Sequence, residues 1–111
     1  MAPTPTRVTL DEAGAAPIPA GARSALLMKR GSMSLRFYRP PRPDPQAPHE
    51  QDELYFVARG TGWFVRNDER HPIGPGDALF AAAGDIHRFE DVSDDFAVWV
   101  VFWGPKGGEG E

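Results

Sequence analysis

Residues 44–60 read DPQAPHEQDELYFVARG, and how this stretch is read decides the rest. A polar cluster of Gln46, His49, Glu50, Gln51, Asp52 and Glu53 runs directly into the apolar segment Leu54–Val57. It is a metal site, an incomplete metal site, or only a polar turn ahead of a strand. On an extended chain His49 and Glu53 share parity and face the same side. Four residues of straight strand nevertheless span about 13 Å, whereas two ligands of one ion lie within about 3–4 Å of each other. Both residues can serve one ion only if the chain bends between them, and the intervening Glu50-Gln51-Asp52 suits a bend.

The same punctuation governs the flanks. Pro40, Pro41, Pro43, Pro45 and Pro48 precede the cluster, and the chain holds 12 Gly and 12 Pro among 111 residues, which favours short strands joined by turns over long helices. SMSLRFY (32–38) alternates Met33, Leu35 and Phe37 against Ser34, Arg36 and Tyr38, the pattern of a half-buried strand. ELYFVARGTGWFVR (53–66) reads as two strands around Gly60 and Gly62, with further turns at Asn67-Asp68 and Gly74-Pro75-Gly76. ARSALLMKRG (22–31) fits a strand or a short helix. FAVWVVFW (96–103) is apolar throughout and needs cover on both faces, one from the core and the other from a second layer or another copy of the protein, with a homodimer preferred. Five or more short strands without a convincing helix predict an all-β sandwich or barrel. The expected organisation is an N-terminal arm over 1–22, partly ordered, a barrel over 23–104 and a flexible tail over 105–111.

Composition narrows the chemistry. A chain of this length builds one core. With no cysteine, thiolate metal sites and cysteine nucleophiles are excluded, so any metal must use imidazole, carboxylate or amide oxygen. Lys and Arg dominate before residue 44 and Asp and Glu after it, but in a single sheet domain these segments interleave, so a nucleic-acid surface is not expected. No apolar leader and no long apolar run is present, which makes a cytoplasmic protein without membrane contact the default expectation. Serine-hydrolase elbows, phosphate-binding loops and dinucleotide fingerprints are missing.

A third candidate ligand is His87 in AAAGDIHRFED, where Gly84-Asp85 marks a turn that aims the imidazole from the start of a strand. Two imidazoles and one carboxylate suit Fe(II), Mn(II), Ni(II) or Zn(II) with open positions for water or substrate. His71, in the charged turn DERHPIG, reads as a solvated surface residue.

At this point the chain resembles the small single-domain cupins, whose fold is a double-stranded β-helix barrel. Their first motif, G-x5-H-x-H-x3or4-E-x6-G, is matched by His49, Glu53 and Gly60; their second, G-x5-P-x-G-x2-H-x3-N, by Gly76, Gly84 and His87. Pro41, Ala47, Ala82 and Asp91 stand where the motifs have Gly, His, Pro and Asn. The resemblance implies a metal held by His49, Glu53 and His87, with the place of a second imidazole taken by Ala47, and Gln46 or Gln51 as candidate replacements. Arg36 and Tyr38 either point into the barrel toward a substrate or lie on a solvent or interface face. Tyr55 is either a hydroxyl supporting the ligands or a core aromatic, and Phe89 is a candidate pocket wall. Two functions follow from the resemblance: a metal-dependent enzyme on a small polar organic molecule, of dioxygenase or isomerase type, or a non-catalytic small-molecule-binding or sensor protein, with or without a metal.

Overall fold

The computed structural model describes residues 4–45 and 48–110. Eight strands follow one short helix, α1 (Leu10–Ala15): β1 (Ala25–Arg30), β2 (Met33–Tyr38), β3 (Asp52–Arg59), β4 (Gly62–Arg66), β5 (Glu69–Ile73), β6 (Ala78–Ala81), β7 (His87–Glu90) and β8 (Ala97–Trp103). They form a five-stranded sheet in the order β1-β2-β8-β3-β6 and a three-stranded sheet in the order β5-β4-β7, and every strand pairing is antiparallel. The all-β expectation holds, and the ambiguous segment before Met33 is a strand.

The core lies between the two sheets. Tyr55 and Val57 of β3 and Val98 and Val100 of β8 meet Phe64, Ile73 and Phe89 from the smaller sheet, with Phe96 closing the end. Alternation along each strand sends Ala97 and Trp99 of β8, Phe37 of β2 and Ala58 of β3 to the opposite face.

That outer face is covered in part by a second layer from within the chain, helix α1, where no convincing helix is expected from the sequence. Thr9 and Glu12 form a reciprocal capping box, Glu12 N–H donating to Thr9 Oγ1 at 3.1 Å and Thr9 N–H to Glu12 Oε1 at 3.2 Å. The helix buries Ala13 against Phe37 and Ala97, with Val8, Leu10 and Leu27 alongside, and Arg39 donates to the Gly14 carbonyl at 2.9 Å. The apolar strand β8 is thus covered near Ala97 and Trp99 by the chain's own N-terminal segment. Farther along the same sheet Phe56 and Phe80 remain 40% and 41% exposed.

Two turns fix the ends that matter for the site. Gly60 joins β3 to β4 at φ +83°, and a Cβ there would come 2.5 Å from Ser93 Oγ and 2.7 Å from the Phe96 Cα, so only glycine fits. Gly84, also at φ +83°, turns the chain between β6 and β7 just ahead of His87. The C-terminal segment is hydrogen-bonded along the start of β3: Gly107 N–H donates to the Glu50 carbonyl at 2.7 Å and Glu109 N–H to the buried Asp52 carboxylate at 2.9 Å. Among the described residues no helix is long and apolar enough to cross a membrane.

Candidate metal centre

The bend that the sequence required is present. β3 begins at Asp52, and residues 50 and 51 turn out of line before it. The His49 carbonyl accepts from Gly84 N–H at 2.9 Å, which ties this bend to the loop carrying His87. As a result His49 Nδ1 lies 3.0 Å and His87 Nε2 3.1 Å from one carboxylate oxygen, Glu53 Oε2. One ligand atom from each of the three residues falls within 4.8 Å of the others. Residues far apart in the chain converge because β3 and β7 belong to opposing sheets and present Glu53 and His87 to the space between them.

Glu53 is fully buried and its second oxygen, Oε1, accepts from Tyr55 Oη–H at 2.7 Å. Burial pushes the carboxyl upward, but the hydrogen bonds from His49 and His87, the charge of His87 and the Tyr55 hydroxyl outweigh it and hold the group at about 2. Burial works against protonation of His87 too, yet the hydrogen bond and charge of Glu53 raise it above its ordinary value. Tyr55 is pushed well up by burial and by the neighbouring carboxylate, so it remains a neutral donor.

The donor set fits a cation. His87 Nδ1 lies 3.0 Å from the Asp85 carbonyl, which can only accept, so Nδ1 carries a proton. In the neutral imidazole the lone pair on Nε2 then faces a carboxylate oxygen at 3.1 Å. Nε2 also lies 3.1 Å from the Tyr55 hydroxyl, whose one proton goes to Glu53 at 2.7 Å, so the nitrogen–carboxylate contact is favoured by a positive charge on or beside it: a second proton on the ring, or a metal ion shared by the two groups. His49 is 42% exposed at its side chain and forms the solvent side of the cluster, as a ligand next to an open position would.

The remaining expectations divide. Tyr38 and Tyr55 line the cavity beside the cluster, together with Asp44, Arg23 and Ser24. Arg36 does not line it and borders the adjoining groove instead. Phe89 is a core residue, its ring against Tyr55, Phe64 and Phe96 at 5.2 Å between centroids in each case. Gln51 is turned away from the cluster, its amide donating to the carbonyls of Ser32 at 3.1 Å and Gly104 at 2.9 Å. Gln46 and Ala47 lie outside the described residues. His71 is exposed on β5.

Asp44 is the residue the sequence reading missed. It accepts from the Tyr38 hydroxyl and, through Oδ2, from Phe89 N–H at 2.8 Å, so it pins the proline-rich loop across the barrel mouth onto β7. Burial and this carboxylate together push Tyr38 upward, keeping its hydroxyl protonated. Its only sequence signal was an acidic residue beside Pro43 and Pro45.

Comparison with known proteins agrees with this architecture. The chain is 38% identical over 63 residues to an uncharacterized protein of Streptomyces coelicolor, 57% of this chain and 60% of that protein. It is 37% identical over 57 residues to the HTH-type transcriptional activator RhaR of Mannheimia succiniciproducens, 51% of this chain and 20% of that one. The matched part thus spans 60% of the first relative and 20% of the second, less than two-thirds of each. Among solved structures it is similar to a putative mannose-6-phosphate isomerase of Ralstonia eutropha, with TM-score 0.64 and 21% identity over 89% of this chain and 98% of the other, a likeness of fold. The family comparison matches a cupin domain over residues 38–103, from the end of β2 through β8 and across both motifs. With two opposed antiparallel sheets, and His49, Glu53 and His87 gathered between them, this chain belongs to the cupin domain family.

Proposed function

We propose that the protein binds one divalent transition metal, Fe, Mn, Ni or Zn, through His49, Glu53 and His87, and a small polar organic molecule in the cavity beside them. The observation that carries this reading is the pair of imidazole nitrogens 3.0 and 3.1 Å from one buried carboxylate oxygen. Such a set holds a divalent ion with positions left for water or ligand. Bound there, the metal would act as a Lewis acid or as a centre for oxygen chemistry. The chain's own groups do the rest. Tyr55 orients Glu53, the Asp85 carbonyl fixes the His87 tautomer so that Nε2 faces the centre, and the Tyr38–Asp44 pair shapes the cavity wall. Imidazole must be neutral to ligate, so metal affinity falls as pH drops through the titration of His87, which Glu53 moves upward. A second copy of the chain covers the outer sheet face that bears Phe56 and Phe80.

The test is thermal melting of EDTA-stripped protein with each metal added. Mn, Fe, Ni or Zn should raise the melting temperature of the wild type and leave His87→Ala unmoved; no response from the wild type to any of them refutes the reading. A second reading, a metal-free sensor of small molecules, has one observation in its favour. Among the described residues no buried side-chain polar atom lacks a hydrogen-bond partner, so the cluster is satisfied by protons alone. Under that reading ligand binding survives metal removal, and the likeness to part of a transcriptional activator becomes the more informative one.

A further inference from the structure

The cavity beside the cluster is small, about 70 Å³. At about 10–15 Å³ of such space per water molecule it takes a group of a few non-hydrogen atoms, which is one end of a larger organic ligand. The remainder must lie in the groove that adjoins the cavity, since Arg23, Ser24, His49 and Phe102 border both. The walls of that groove are basic. Arg23, Lys29, Arg36 and Lys106 line it against the single acid Glu50, in a chain whose formal charge is −4. Glu50 offsets little of this, with Lys106 Nζ 3.9 Å away and both groups exposed.

Arg36 is the informative member. It pairs with Val100 of β8, and Val100 pairs with Tyr55 of β3, so Arg36 and Tyr55 lie in one row across the inner face. Two strand spacings put their Cα atoms about 10 Å apart. Arg36 is half-buried, yet among the described residues no carboxylate or carbonyl holds its guanidinium; Arg7, Arg23, Arg30 and Arg59 share that, whereas Arg39, Arg42, Arg66, Arg70 and Arg88 each have such a partner, and of the unpaired ones only Arg23 and Arg36 border the groove. A partly buried, unpaired guanidinium bordering a ligand-sized groove is a receptor for a planar or tetrahedral oxyanion, which it can grip with two N–H groups.

We infer that the groove binds the oxyanion of a small organic acid or phosphate ester, held by Arg36 and Arg23, while the other end of the same molecule enters the cavity beside His49. This rests on the proposed reading for where that other end goes, but the anion contacts stand on the groove alone. A neutral ligand of the same shape gains only the weaker hydrogen bonds of an uncharged acceptor from these residues.

Calorimetry on the full chain, both manganese-loaded and EDTA-stripped, tests it with succinate and glycerol 3-phosphate as probes and succinamide and glycerol as their neutral counterparts. The wild type should bind at least one anion and neither neutral compound, and binding should weaken with added salt. Preference for succinate or for glycerol 3-phosphate assigns the oxyanion to a carboxylate or a phosphate. Arg36→Gln and Arg23→Gln should each weaken binding about tenfold to a hundredfold, the range for a hydrogen bond to a charged group, with Arg36→Lys recovering part of it. Metal content should be the same in all these variants. Failure of the wild type to bind either anion overturns the inference, as does a folded Arg36→Gln that binds as tightly as the wild type. Arginine-dependent anion binding in a protein that takes up no metal supports the groove and refutes the metal reading. Metal uptake without anion binding does the reverse.

Discussion

Replacing Glu53 with glutamine keeps the shape of the side chain and an acceptor for the Tyr55 hydroxyl, but removes the charge that both imidazoles face. The magnitude follows from the carboxyl's displacement from 4.5 to about 2. At about 1.4 kcal/mol per unit, this is about 3 kcal/mol of stability in the metal-free protein, and the fully buried position leaves little solvent to screen it. The sign differs for the two partners. Glu53 is depressed in the folded state, so its contribution is present above about pH 4.5 and is lost as pH falls toward 2. His87 is raised, so its contribution is complete below about pH 6.5 and is lost as pH rises through its folded value. The difference in unfolding free energy between wild type and Glu53→Gln should therefore peak between about pH 4.5 and 6.5 and shrink on both sides. Urea denaturation in EDTA across that range measures it, and other titrating groups cancel in the difference. A difference that does not vary with pH would refute the claim that charge at Glu53 holds the cluster together.

Tyr55→Phe removes a donor to a buried carboxylate and should cost about 1.5–3 kcal/mol by denaturation while leaving metal content unchanged, because Tyr55 supports a ligand and is not one itself. Loss of that hydrogen bond should also raise the Glu53 carboxyl, moving the acid limb of the stability curve to higher pH. Gly60→Ala forces a Cβ against Ser93 and the Phe96 backbone at positive φ, and should destabilise by about 2–4 kcal/mol; melting within a degree or so of wild type would contradict the assigned turn. Phe80→Glu, on the exposed outer face, should convert a dimer into a monomer by light scattering without lowering metal content, and a monomeric wild type would dispose of the proposed self-association.

Alternation made most of the fold legible. Met33–Tyr38 read as a strand and is one, and Asn67-Asp68 read as a hairpin turn and joins β4 to β5. The His49–Glu53–His87 cluster was legible through the resemblance to the two cupin motifs, since the spacing alone says only that His49 and Glu53 can meet if the chain bends between them, and the Glu53-x6-Gly60 interval ends where only glycine can turn. Alternation does not say which face looks inward, however. Parity alone admits both barrel and solvent for Arg36 and Tyr38, and only pairing with β8 places them on the inner face. Gln51 shared parity with Glu53, but it sits in the bend, where parity has no meaning, and its amide turns to Ser32 and Gly104. Phe89, two residues from His87, read as pocket wall; it packs in the core because four aromatic rings meet there. Helix α1, six residues long, is too short for a periodic signal, and the sequence reading missed its Thr9-x-x-Glu12 capping box. Asp44 acts through Phe89, 45 residues away, and nothing local marks such a contact.

The central claim is that His49, Glu53 and His87 hold one metal ion. Elemental analysis of protein purified without a nickel column tests it most directly, beside His87→Ala carried through the same preparation. About one divalent transition metal per chain is expected in the wild type and essentially none in the variant. Metal-free wild type that takes none up on reconstitution, or equal metal in both proteins, would contradict it.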